Sequence, residues 1–403
     1  MKKFLALLLT LCLLGTLCAC KGVQAASGEQ EQHTVTAPTD DASFVYQPED
    51  PTLVPAGGGK IVLAAGPEGP EGGADAMLWQ GVQTFADAYG YTAESQTAAG
   101  NTADDAEAAL RAAAESGAKL VVCRGDAMGA ALYRIQGSYP DVHYLLFDSE
   151  PHTEDYSAYT TAELVHCVLF QEEQAGYLAG YASVMDGYTA LGFIGAREIP
   201  GIVRYATGFL QGAEAAAEQQ GESVTLQTWF ADTDETNDAI TQRMIDWYNS
   251  GVSLIMVSGG NLYKSAAAAV NETGTKAITT DYDSTDMAEG LLASAVKCYN
   301  AAVQRELYSF FTSGTWAADD AGQTETVGFI NGEIALEAGN PWRFDNFSQD
   351  DYRRLYEQLR TSVLKVDTYA DLDTLPDAPN VTLNRIMYTD CYAFVMFFVG
   401  FCH

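Results

Sequence analysis

Glu115-Ser116-Gly117-Ala118-Lys119-Leu120-Val121-Val122-Cys123-Arg124-Gly125 recurs in type as Asn249-Ser250-Gly251-Val252-Ser253-Leu254-Ile255-Met256-Val257-Ser258-Gly259. Each copy is a Ser-Gly turn, an aliphatic run of strand length and a closing glycine. Each continues through an Ala-rich helical stretch into another strand, and those strands end at Asp148 and Asp281, so register is kept within one residue over more than thirty. The repeat predicts two related α/β lobes.

Outward from it, apolar runs of strand length alternate with amphipathic or Ala-rich stretches. Lys60–Ala65, Lys119–Cys123, Val142–Phe147, Thr189–Gly195, Val224–Phe230, Ser253–Val257 and Lys276–Thr280 read as buried strands. Asp75–Tyr89, Ala103–Ser116, Ala127–Ser138, Glu172–Met185, Gly201–Gln219, Glu235–Asn249 and Tyr263–Asn271 read as the intervening helices. This alternation predicts parallel sheets flanked by helices, two Rossmann-like lobes joined by a hinge. Strand C-termini line the crevice of such sheets, so Gly125, Asp148, Gly259 and Asp281 are expected around one cleft.

Composition narrows the function. The 403 residues carry 54 Asp+Glu against 21 Lys+Arg, a formal charge of −33, with 47% hydrophobic residues. That apolar share builds real cores, while so acidic a surface repels phosphate backbones and speaks against nucleic-acid binding. Five His and no Cys-x-x-Cys give no sign of a structural zinc site, and His143, His152 and His166 lack ligand spacing. Gly57-Gly58-Gly59-Lys60 precedes a strand instead of following one, so it is no P-loop, and no Gly-x-Ser-x-Gly elbow occurs. Neither an enzyme nor a cofactor is expected.

The N-terminus reads as an address. Lys2-Lys3, the apolar run Phe4–Leu17 and Leu17-Cys18-Ala19-Cys20 form a signal peptide with a lipobox, so residues 1–19 are expected to be removed and Cys20 acylated. Cleavage removes Lys2 and Lys3 and takes the formal charge to −35. Attachment to the cell membrane, on its extracytoplasmic face, would then come from lipid alone. Residues 20–58 read as a flexible tether. Cys123 and Cys167 lie in apolar runs and read as small core residues.

Phe170-Gln171-Glu172-Glu173-Gln174-Ala175-Gly176-Tyr177-Leu178-Ala179-Gly180, then Leu191-Gly192-Phe193-Ile194-Gly195, then Pro200 and Gly208-Phe209-Leu210-Gln211-Gly212 resemble the basic membrane protein family. The resemblance runs from about Lys60 to about Val366. It implies a type I periplasmic-binding-protein fold and a lipoprotein substrate-binding component of an ABC transporter. A purine nucleoside is the favoured ligand, permease subunits are the partners, and the protein acts as a monomer. The small residues of these motifs are themselves structural, letting helices pack close.

The resemblance also places the site. Asp75 stands where the family has Asn in a Ser-Phe-Asn-Gln motif, although Trp79-Gln80-Gly81 is kept; a helix N-cap is the structural explanation of Asp75. Asp148 and Asp281 resemble ligand-contacting acidic positions, the latter in Thr279-Thr280-Asp281-Tyr282-Asp283; a capped turn would equally explain Asp148. Lys297 matches a family Lys that pairs with cleft carboxylates or donates to ligand. Tyr205 stands at an aromatic position that can stack on a base, or packs in the core. Gly259, with Gly260, offers close backbone approach.

Lobe 1 is expected over 59–162 with 291–316, and lobe 2 over 163–290 with 320–366. Residues 367–403 form a tail of open role, with an apolar run Cys391–Cys402 too short to span a bilayer as a helix. Two rival functions use the same fold: a ligand sensor signalling to a membrane kinase or regulator, and a nucleoside hydrolase.

Overall fold

Ile61, Leu63, Leu120, Val122, Leu145 and Phe147 pack into one core layer, while Val62, Ala64, Val121, Cys123, Tyr144 and Leu146 pack into another. Strands apolar on both faces belong in a parallel sheet covered by helices on both sides. The computed structural model describes residues 44–48, 50, 52–369, 371–375 and 377–386. The signal segment, Cys20 and the run Cys391–Cys402 lie outside the described residues.

The first sheet holds β1 (Lys60–Ala65), β2 (Thr92–Thr97), β3 (Leu120–Arg124), β4 (His143–Phe147), β5 (Val165–Phe170) and β11 (Thr324–Val327), in the order β11-β5-β4-β3-β1-β2, all parallel. The second holds β6 (Ala190–Gly195), β7 (Val224–Phe230), β8 (Leu254–Ser258), β9 (Lys276–Asp281), β10 (Leu291–Lys297), β12 (Ile334–Glu337) and β13 (Val381–Arg385), in the order β12-β10-β9-β8-β6-β7-β13. Only the β10–β12 pair is antiparallel among the pairings of this sheet. The winding β2-β1-β3-β4-β5 thus recurs as β7-β6-β8-β9-β10. This is the doubly wound arrangement whose ligands sit beyond the strand C-termini.

Helices α1 (Gly73–Tyr89), α2 (Ala103–Glu115) and α3 (Asp126–Ile135) serve the first sheet, and α4 (Glu172–Met185), α5 (Pro200–Gln220), α6 (Asp238–Asn249) and α7 (Leu262–Thr273) the second. Two more, α8 (Tyr299–Ser313) and α9 (Gln349–Arg360), follow. The small-residue motif on α4 and α5 is structural: a Cβ on Gly180 would lie 2.1 Å from the Phe209 carbonyl oxygen, and one on Gly208 2.0 Å from that of Glu173. Only glycine lets two helices approach this closely.

Sheet pairing moves both lobe boundaries expected from the sequence. Val165–Phe170 pairs with β4, so it belongs to lobe 1, and Leu291–Lys297 pairs with β9, so it belongs to lobe 2. The chain crosses between lobes after Phe170, after Lys297 and after Val327, and α8 packs against α1, where Gly81 makes room for Val303. Apolar pattern marks a strand but not its sheet, which is why these boundaries were displaced.

The ends also differ from expectation. From Phe44 the supposed tether is held against α8: Gln304 Nε2 donates to the Phe44 carbonyl at 2.9 Å, and the Tyr46 and Tyr308 rings lie 5.6 Å apart. Part of the supposed tail is β13, which extends the second sheet beside β7. No helix among the described residues is long and apolar enough to cross a membrane.

Candidate functional site

Lys297 ends the apolar strand β10, and its ammonium meets carboxylates from both lobes. It is 4% exposed. Its Nζ lies 2.8 Å from Asp148 Oδ1, 3.0 Å from Glu172 Oε1 and 3.2 Å from Asp281 Oδ1. The rings of Phe170, Tyr205 and Tyr299 stand 5.5, 5.6 and 6.0 Å from it. Burial works against the ammonium, but Asp148, Glu172 and Asp281 outweigh it and hold Lys297 well above the ordinary lysine value.

Asp148 and Asp281 occupy equivalent places, one after β4 and the other ending β9 in the repeated winding. Both adopt left-handed backbone, φ +61° and +74°, a conformation Asp tolerates better than most residues. Asp148 also accepts the Tyr299 hydroxyl in a short bond and lies 3.5 Å from Arg124. Burial opposes its charge, yet Lys297 and Arg124 keep it below the ordinary carboxylate range. Asp281 keeps more solvent contact and accepts from the Thr280 hydroxyl at 3.1 Å.

Asp75 does not cap α1; the cap position is Gly72. Its carboxylate accepts the Gly66 amide at 2.8 Å and the Arg124 Nε at 3.0 Å, which ties the end of β3 to the start of α1. Tyr205 is a core ring, 1% exposed, with its hydroxyl on the Ala295 carbonyl at 3.2 Å. Gly259 has φ +92°, and a Cβ there would meet Ile202 at 2.4 Å; Gly260 would meet the Asp234 carbonyl at 2.3 Å. Protein, not open cleft, fills the space beside both glycines. The expected set therefore divides: Asp148, Asp281 and Lys297 meet directly, Asp75 joins through Arg124, Tyr205 lies beneath Lys297, and Gly259 shapes its own lobe.

Sequence reasoning missed Arg124, Glu172, Arg204 and Tyr299. Arg204 Nε reaches Glu172 at 2.6 Å and Glu173 at 3.8 Å, so five carboxylates (Asp75, Asp148, Glu172, Glu173, Asp281) face three cations (Arg124, Arg204, Lys297). The available signal was a charge at the mouth of an apolar strand, as in Leu120–Arg124, or two residues past it, as at Glu172. Beyond this centre the lobes also touch at their rims, where Lys264 meets Glu68 at 2.5 Å and the Asn101 amide donates to Glu235 at 2.8 Å. Two surface recesses, around Gln83, Asp87 and Tyr91 and around Tyr139 and Val142, lie on lobe 1 away from this cluster; the paired charges mark the site better than they do.

The geometry offers carboxylates and cations converging from both lobes on one point, a place to grip a polar small molecule. The sequence model of the family described as ABC transporter substrate-binding protein PnrA-like matches residues 72–352. Among solved structures, an ABC transporter solute-binding protein from Aeropyrum pernix K1 is similar at 18% identity, over 79% of this chain and 95% of that one, with TM-score 0.62. One from Conexibacter woesei is similar at 16% identity, over 77% and 99%, with TM-score 0.58. A transcriptional activator of the comK gene from Bacillus halodurans is similar at 17%, over 79% and 100%, with TM-score 0.59. At such identities these structures establish the fold alone. No curated protein sequence matches.

Proposed function

This chain belongs to the family of PnrA-like ABC transporter substrate-binding proteins, and from that premise we propose that it binds a nucleoside between its lobes at the Asp148–Asp281–Lys297 cluster. Proteins of this family are binding components that deliver a small molecule to permease subunits; they are not enzymes. The carrying observation is that carboxylates from equivalent positions of both lobes converge on a single buried ammonium, at 2.8 and 3.2 Å.

A ribose brings a pair of hydroxyl donors, and carboxylates are the acceptors that suit them. Lys297 fixes the carboxylates before ligand arrives, so little ordering remains to oppose binding. Phe170 and Tyr299, whose rings lie 5.2 Å apart and are fully buried, would offer a flat base an aromatic surface only once the lobes part. Since both lobes contribute, binding favours closure, and the rim contacts Lys264–Glu68 and Asn101–Glu235 are those a hinge motion would make and break. Acylation of Cys20 would anchor the receptor on the extracytoplasmic face, where it meets the permease.

A thermal-shift screen of nucleosides, free bases and small sugars tests the ligand class. Purine nucleosides are predicted to raise Tm by several degrees at millimolar concentration; stabilisation by none of them would contradict the ligand assignment and leave the fold untouched. Incorporation of radiolabelled palmitate, abolished by Cys20→Ala, tests the anchor.

A further inference from the structure

Away from the cleft, His166 on β5, Glu306 on α8 and Glu325 on β11 each point an atom into one small space, with His166 Nε2 and the carboxylate oxygens all within 4.8 Å of one another. His166 is 1% exposed and Glu306 2%. The His166 Nδ1 lies 3.0 Å from the Asp320 carbonyl. A carbonyl only accepts, so Nδ1 carries the hydrogen and Nε2 of the neutral ring is left with a lone pair. That Nε2 faces Glu306 Oε2 at 3.5 Å yet makes no hydrogen bond. Two electron-rich atoms are thus buried face to face.

Charge points the same way. One guanidinium, Arg305, serves three carboxylates: Glu306 at 2.6 Å, Glu325 at 2.8 Å and Glu333 at 2.7 Å. With all three ionised the cluster carries −2, the charge a divalent cation cancels. A ring whose Nδ1–H is fixed by a backbone carbonyl and whose Nε2 is open is also the arrangement of a metal-ligating histidine.

We propose that His166, Glu306 and Glu325 bind a single divalent transition-metal ion, with zinc as the fitting case. One imidazole and two carboxylates suit zinc better than magnesium or calcium, and an open fourth position would take water. A zinc sphere places donors about 3.4 Å apart, so the donors must draw together, and Glu325, on the short edge strand β11 and about a third exposed, is the one with freedom to move. The ion would join β5 to the returning segment α8–β11, pinning onto lobe 1 the stretch that has just crossed from lobe 2. The ligands are 140 and 19 residues apart in the chain, which is why the lack of any Cys-x-x-Cys or short His spacing did not reveal them.

The test uses the full chain purified without a histidine tag, stripped with chelator and then titrated with zinc chloride. About one zinc per chain by elemental analysis is expected, with a rise in Tm of about 5 °C at a hundredfold excess over Kd. Glu325→Gln preserves size and a partner for Arg305 and should lose both effects; His166→Asn keeps a donor for the Asp320 carbonyl and should do the same. Absence of bound metal with Tm unmoved by zinc or manganese would overturn the proposal, and so would zinc binding that survives Glu325→Gln. Since nucleoside binding is read separately, failure here leaves the ligand assignment intact.

Discussion

The fifth strands of the two lobes are equivalent in the repeated winding, and they end differently: β5 closes on Phe170 and leads through Gln171 to Glu172, whereas β10 closes on Lys297 and leads through Cys298 to Tyr299. Where one strand ends on a ring the other ends on an ammonium, and where one is followed by a carboxylate the other is followed by a phenol; Lys297 lies close to Phe170, Glu172 and Tyr299 alike. The fourth strands by contrast are followed or ended by the same residue type in the same left-handed conformation, Asp148 and Asp281. A duplicated scaffold thus keeps its acceptors symmetric and makes its counterions asymmetric. One lobe supplies the cation that fixes the carboxylates of both.

Making the fifth strands alike is the most damaging way to break that comparison. Lys297→Met removes the buried cation that three carboxylates share, so unfolding free energy should fall by about 3–5 kcal/mol in urea denaturation, and nucleoside binding should vanish. A variant as stable as wild type would show that Lys297 is not their counterion.

The acidic pair can be sharpened next. Asp148→Asn removes the shared partner of Lys297, Arg124 and Tyr299 and should cost about 2–3 kcal/mol, whereas Asp281→Asn, at a more exposed carboxylate, should cost less than about 1 kcal/mol. Their pH profiles should differ too. Asp148 sits in the folded protein below its unfolded value near 3.8, so its stabilisation is present above that pH and is lost as pH falls through the folded value. Asp148→Asn should therefore flatten the acid limb of the stability curve; an unchanged limb would place the titration elsewhere.

Smaller effects follow. Tyr299→Phe deletes one hydrogen bond to Asp148 and should cost about 1 kcal/mol with the packing against Phe170 kept, read by the same denaturation. Lys264→Met at the rim should change stability by less than about 1 kcal/mol and weaken ligand affinity only a fewfold through lost closure; a large loss of stability would mean the rim pair is structural.

Much of the scaffold was legible because buried parallel strands must be apolar. Val224–Phe230 and Glu172–Met185 form over the stretches where the pattern predicts them. Thr92–Thr97 was not legible: Thr-Ala-Glu-Ser-Gln-Thr lies at a sheet edge and needs no apolar alternation. Val165–Phe170 and Leu291–Lys297 are apolar enough, but the crossing of a chain between sheets leaves no trace in hydropathy. At the site, Asp148, Asp281 and Lys297 stood out as polar residues at the ends of apolar runs. Arg124 and Glu172 carry the same signature and were overlooked, while Tyr299 opens a helix that the pattern did not mark and gains meaning only from its contact with Asp148.

In the proposed function both lobes grip one nucleoside through Asp148 and Asp281. Calorimetric titration of the wild type, Asp148→Asn and Asp281→Asn with inosine, guanosine and adenosine tests it most directly. The prediction is one site per chain in the wild type and an affinity loss of tenfold to about a hundredfold in each variant, the worth of a hydrogen bond to a charged group. Binding of no nucleoside, or binding that neither substitution weakens, would contradict it.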